Sequence, residues 1–152
     1  MACMDIGPIR HSVFIAASVE TVYDTLTTGG GWDAWFTDGS EVDASPNGEV
    51  VLRWKDFGPS RITAEDGGAV LEADRNRRFV FEWEPGDTVT TVAFTLTPHA
   101  GGTILELEES GYETLTSYME CATGWGEALA LLKFYLEHGV VYGEVPLAED
   151  FD

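Results

Sequence analysis

Tyr118-Met119-Glu120-Cys121-Ala122-Thr123-Gly124-Trp125-Gly126-Glu127-Ala128-Leu129-Ala130-Leu131-Leu132-Lys133-Phe134-Tyr135-Leu136 sets the architecture of this chain. Tyr118, Cys121, Ala122, Trp125, Ala128, Leu129, Leu132 and Leu136 recur at spacings of three and four, which predicts one long helix with an apolar stripe. His138 suits the negative pole at the end of that helix, and Gly139 is a natural stop signal. A stripe of this length needs a broad apolar surface to cover.

The preceding residues supply that surface with a period of two. Phe79, Phe81 and Trp83 alternate with Val80, Glu82 and Glu84. Val92, Phe94 and Leu96 alternate with threonines and Ala93, and Thr103, Leu105 and Leu107 with Ile104, Glu106 and Glu108. Each segment reads as a strand with one oily and one wet side, as in an antiparallel sheet. Pro85 to Asp87 and Ala100 to Gly102 form the turns of a meander. Upstream, Val50, Leu52 and Trp54 share a strand face between turns at Pro46 to Gly48 and at Gly58 and Pro59. Ser60 to Asp66 and Ala69 to Asp74 read as strand on either side of Gly67 and Gly68, a pair that suits either a turn or a bulge.

The N-terminal third predicts a first strand over Ile9 to Ala16. A helix follows, with Ser18 as its cap and Val19, Val22, Tyr23 and Leu26 on its apolar face. Gly29, Gly30 and Gly31 are expected to stop it. Trp32, Trp35 and Phe36 then suggest a second, short helix anchored under the sheet. Residues 144 to 152 are acidic with little pattern and are expected to fray.

At 152 residues, with 44% hydrophobic and 23% charged residues, the composition is that of a single globular domain. Twenty-seven acidic residues against eight basic ones give a formal net charge of -19. That field disfavours phosphate backbones and anionic lipid, so neither nucleic acid nor membrane is an expected partner. No apolar run is long enough to span a bilayer, and Met1 to Arg10 carries no signal-peptide pattern, so a cytoplasmic location is expected. Cys3 and Cys121 provide neither a disulfide framework nor a thiolate metal site.

Three segments together resemble one family. They are Val13-Phe14-Ile15-Ala16-Ala17-Ser18 running into Val22-Tyr23-Asp24-Thr25-Leu26-Thr27, the strand Arg77-Arg78-Phe79-Val80-Phe81-Glu82-Trp83, and Gly124-Trp125 followed by Leu129, Leu132 and Leu136. This order is similar to that of the Aha-type heat-shock ATPase-activator homologues of the START-like, or SRPBCC, superfamily. The resemblance implies an α+β helix-grip fold (START-like, Bet v 1-like): a curved antiparallel sheet wrapped around a long C-terminal helix, with two short helices near the N-terminus. It implies a domain over residues 8–139, followed by an acidic tail over 140–152. Members use the enclosed cavity for apolar compounds. Tyr23 stands where the family often has Trp, and Phe36 where a second Trp is frequent. The larger eukaryotic activators carry an additional N-terminal domain, which is not expected within these 152 residues.

The expected function is the binding of a small hydrophobic or aromatic ligand between sheet and helix. Trp35, Trp54, Phe79, Phe81, Trp83, Phe94, Tyr118 and Trp125 are the ligand-binding candidates, although any one of these rings could simply fill the core. Gly124 and Gly126 flank Trp125, either for close packing against a strand or to leave room for a guest. No nucleophile motif, phosphate loop or metal-ligand spacing is present, and no cofactor is expected. His11, Arg61 and Tyr118 are weak catalytic candidates for a cyclase or dehydratase in the same cavity. Arg61 and Glu120 could reach its rim, but surface roles are the stronger expectation. A chaperone whose ATPase the protein stimulates is the other partner the resemblance implies. Leu131 and Phe134, off the main stripe, could meet a second copy of the chain or pack under the acidic tail. Glu82, Glu84, Glu106 and Glu108 are expected on the solvated outer face.

Overall fold

The computed structural model describes residues 6–141. Strand β1 (Ile9–Ile15) leads into α1 (Val19–Leu26) and α2 (Gly29–Trp35). Six strands follow: β2 (Glu41–Val42), β3 (Glu49–Phe57), β4 (Ile62–Asp74), β5 (Arg78–Trp83), β6 (Thr90–His99) and β7 (Gly102–Ser110). Helix α3 (Leu115–His138) comes last. The strands form one antiparallel sheet in the order β1-β7-β6-β5-β4-β3-β2, so the first strand closes against the last.

The alternation read from the sequence matches burial in the central strands. Phe79, Phe81, Trp83, Val92, Phe94, Leu96, Leu105 and Leu107 are all buried. With Trp32, Trp35, Trp125, Leu129 and Leu132 they make one core between sheet and helices. Fully burying one such side chain contributes about 1.5–3 kcal/mol, so this face dominates the stability of the fold.

Helix α1 begins where Ser18 Oγ accepts the Thr21 backbone N–H at 3.2 Å, as its sequence predicts. Gly29 to Gly31 do more than end it. They form the first turn of α2, which Thr28 caps by accepting the Gly31 N–H at 3.0 Å. Added Cβ atoms at Gly29 and Gly31 would lie 2.1 Å from the Ser40 carbonyl oxygen and 2.3 Å from that of Thr25. The run is therefore glycine because α2 packs backbone to backbone at both positions.

Gly67 and Gly68 are neither a turn nor the bulge. They lie inside one continuous 13-residue strand, where β4 passes from pairing with β3 to pairing with β5. A Cβ on Gly67 would stand 1.9 Å from the Val50 carbonyl oxygen, and one on Gly68 would stand 2.4 Å from that of Glu82. The neighbouring strands crowd in from both sides here. The register shift comes later, between Val70 and Glu72. Asp66 fastens the same bend, its Oδ1 accepting the N–H groups of Gly67 at 2.7 Å and Glu84 at 2.9 Å.

Helix α3 starts at Thr114, whose hydroxyl accepts the Ser117 N–H, and ends at Gly139 in the left-handed conformation (φ 70°). Its far end is tied to β1: Lys133 donates to the Phe14 carbonyl, and Glu137 accepts the Ala16 N–H at 2.9 Å. Midway, the His11 ring lies 3.0 Å from the Ala122 carbonyl oxygen. Among the described residues no helix is long and apolar enough to cross a membrane. The acidic tail expected from residue 144 lies outside the described residues.

Candidate ligand site around a buried carboxylate

Strand β7 continues its inward parity past Leu105 and Leu107 to Glu109, whose side chain is completely buried. An unpaired carboxyl there would be strongly destabilising. Three donors from three other elements satisfy it. Trp83 Nε1 of β5 and Thr90 Oγ1 of β6 each donate to Glu109 Oε2 at 2.6 Å, and Trp125 Nε1 of α3 donates to Oε1 at 2.8 Å. An indole N–H can only donate, so the carboxyl group is used here as an acceptor. Sequence reading named both tryptophans but not the acid between them. Its signal was available: Glu109 has the parity of Leu105 and Leu107, whereas Glu106 and Glu108 have that of the wet face.

Tyr112 and Cys121 stand next to this centre. The Tyr112 hydroxyl is buried and satisfies hydrogen-bond geometry to no partner. Burial first, and then the nearby Cys121 and Glu109, push its ionisation far above the usual phenol range. Burial likewise pushes the Cys121 thiol up, which keeps it protonated and unreactive at neutral pH.

Against this centre lies a hollow of about 190 Å³ lined by Phe36, Trp83, Glu120, Cys121, Gly124, Trp125 and Ala128. Its lining is almost wholly apolar, and it opens to solvent beside α3. Phe36 also borders a second hollow, of about 250 Å³, which Trp54, Phe57 and Lys55 help to line. A larger trough of about 520 Å³ runs across the outer sheet face, but its lining mixes polar and apolar residues and includes Arg10 and Glu108, an exposed ion pair, and Arg78. Exposed pairs of this kind add little stability.

Of the eight rings nominated from the sequence, Trp83 and Trp125 line the apolar hollow, and Trp54 lines its neighbour. Trp35, Phe79, Phe81 and Phe94 are fully buried and belong to the ring-on-ring core. Tyr118 packs edge-on against Tyr112 with centroids 6.1 Å apart. The catalytic candidates do not converge. His11 faces the Ala122 carbonyl, and Arg61 is exposed in the turn between β3 and β4. Glu120, for which a surface role is the stronger expectation from sequence, is exposed and also borders the hollow. Gly124 has no neighbour within 4 Å of an added Cβ, and Gly126 would make only an ordinary 3.7 Å contact with His11, so close strand packing explains neither glycine. Leu131 packs against the core, whereas Phe134 is 54% exposed. Among the described residues no group of His, Cys, Asp or Glu could hold a metal ion.

A curved antiparallel sheet gripping a long C-terminal helix, with two small helices closing one end, defines a START-like protein of the helix-grip class. Within that class, the model of the Activator of Hsp90 ATPase homolog 1-like family matches residues 16–137, and the chain belongs to that family. Solved structures agree in fold. The chain is similar to the Aha1 dimer from Colwellia psychrerythraea, with 24% identity over 88% of this chain and 98% of that one and a TM-score of 0.75. A protein from Chromobacterium violaceum has 22% identity over 87% and 99% of the two chains, with a TM-score of 0.75. CalU16 from Micromonospora echinospora has 23% identity over 87% and 76%, with a TM-score of 0.67. No curated protein is similar enough to be matched to this chain.

Proposed function

We propose that this protein binds a small hydrophobic or aromatic ligand in the hollow bounded by Phe36, Trp83, Gly124 and Trp125. One observation carries the reading: an apolar recess is kept open beside α3 at a glycine whose added methyl group would meet nothing. Recesses lined by rings with few polar groups are the usual form of small-molecule sites. Burying about 200 Å² of apolar ligand surface contributes roughly 5 kcal/mol before association costs, so affinity from apolar burial falls in the millimolar range. Titration of tryptophan emission with a panel of apolar compounds tests this, because two of the five tryptophans line the recess. Native mass spectrometry of protein purified from its own host would identify a retained guest. No emission change across the panel together with no retained compound would overturn the reading.

Catalysis in the same recess is the less favoured reading. His11, Arg61 and Tyr118 do not gather there, and the thiol that does is held protonated. Family membership favours a second, separate role, stimulation of a heat-shock ATPase in the cytoplasm. An ATPase assay with the cognate chaperone tests it, and an unchanged rate at saturating protein would rule it out. A second copy of the chain is a further partner to test by sedimentation, with exposed Phe134 as the residue to substitute.

A further inference from the structure

The hollow offers a ligand a particular chemistry. Both tryptophans in its wall have their indole N–H groups engaged by Glu109, so neither can donate to a guest. Its exposed lining is almost wholly apolar; Glu120, an exposed residue, and Cys121, whose protonated thiol is a weak donor, border it. Tyr112, whose hydroxyl lacks a partner, does not line it. A ketone, carboxylate or other acceptor-rich guest therefore finds no strong donor and meets a like or unhelpful charge. A cation finds the reverse. Phe36, Trp83 and Trp125 present aromatic surface, and hydrogen bonding of an indole N–H to a carboxylate pushes electron density onto the ring, which strengthens attraction for positive charge. Glu120, exposed at the border of the recess, adds negative charge at its edge, and the net charge of -19 draws cations toward the molecule.

We infer that the guest is a small organic cation, an amine or quaternary ammonium group carrying an apolar or aromatic body. This inference rests on the reading that the hollow takes a ligand, and it adds the ligand's class. The recess of about 190 Å³ is large enough for a single ring with a compact ammonium head. Among the described residues no Lys or Arg lines the recess; Lys55 lines the neighbouring hollow, which shares Phe36 with it.

The test uses the intact wild-type chain and three matched probes: phenyltrimethylammonium, its neutral isostere tert-butylbenzene, and benzoate. Calorimetric titration should give the ammonium probe a dissociation constant about tenfold lower than that of the neutral isostere, with no binding of benzoate. Glu120→Gln, at an exposed position that leaves the core untouched, should weaken the ammonium probe several-fold and leave the isostere unchanged. Gly124→Leu, which builds a side chain into the recess, should abolish binding of both. Equal or tighter binding of the isostere, or any binding of benzoate, would overturn the cation class while leaving ligand binding intact. Ammonium binding that survives Gly124→Leu would place the probe on the acidic surface and overturn the inference as well. Binding by none of the probes would remove the recess as a ligand site, and the inference with it.

Discussion

Trp125 of α3 donates its indole N–H to Glu109 of β7 across 2.8 Å, with both side chains shut away from water. The bond joins the long helix to the sheet at the point where the apolar recess begins. It also orients a ring that forms the wall of that recess, so one buried acid serves both folding and the shape of the site.

Replacing that acid tests the first role. Glu109→Leu leaves two indole N–H groups and the Thr90 hydroxyl without an acceptor. Each such loss costs about 1–3 kcal/mol, so the variant should lose about 3 kcal/mol or more in urea unfolding followed by circular dichroism. Adding Trp83→Phe and Trp125→Phe should restore part of the loss, because the stranded donors go with the indoles. A single variant as stable as the parent would refute the account.

Gly124→Ala should stabilise the fold by about 0.5–1 kcal/mol, since the methyl group meets open space and alanine is the better helix former. The same methyl group narrows the recess, so ligands that bind there should weaken while the melting temperature rises. Stabilisation without any effect on binding would separate the guest from this hollow.

At Gly67 the expected sign is opposite. Gly67→Ala drives a Cβ into the Val50 carbonyl oxygen across the bend of β4, and the strand must shift to relieve it. Loss of at least about 2 kcal/mol is expected, read as a lowered urea midpoint. Gly101→Ala supplies the contrast. That turn residue has φ of 81° but nothing within 4 Å, so strain in backbone conformation alone should cost about 1 kcal/mol.

Tyr112 and Cys121 make stability depend on alkaline pH. Both ionise at higher pH in the folded chain than in the unfolded one. The unfolded state therefore loses its protons first, and stability, full below about pH 8.5, should fall as pH rises through the ordinary thiol and phenol range. Tyr112→Phe should flatten the decline above about pH 10 and leave neutral-pH stability equal or higher, because the hydroxyl it removes has no partner. Urea midpoints measured from pH 7 to 11 on both proteins check this.

What could be read from the residues alone divides by range. Ser18 and Gly139 were legible because a helix end depends on its own few residues, and Phe79, Phe81 and Trp83 because a strand repeats every second position. Gly67 was not, since what forbids a side chain there is the carbonyl of Val50 on another strand. Nor was Glu109, whose partners come from β5, β6 and α3. The rings divide likewise. Parity placed Trp35, Phe79, Phe81 and Phe94 inward, but only three-dimensional packing separates a ring inside the solid core from one, like Trp83, that borders empty space.

The moorings of α3 are uneven along its length. Lys133 and Glu137 hold its final turns, Trp125 and the His11 contact hold its middle, and its opening turn leaves Leu115 47% and Met119 57% exposed. Local opening should follow that gradient. In native-state hydrogen exchange, the amides of residues 119–122 should lose protection well before those of residues 128–136. The unzipping end is also the one beside the recess, which would give the proposed guest a route inward that leaves the rest of the molecule closed.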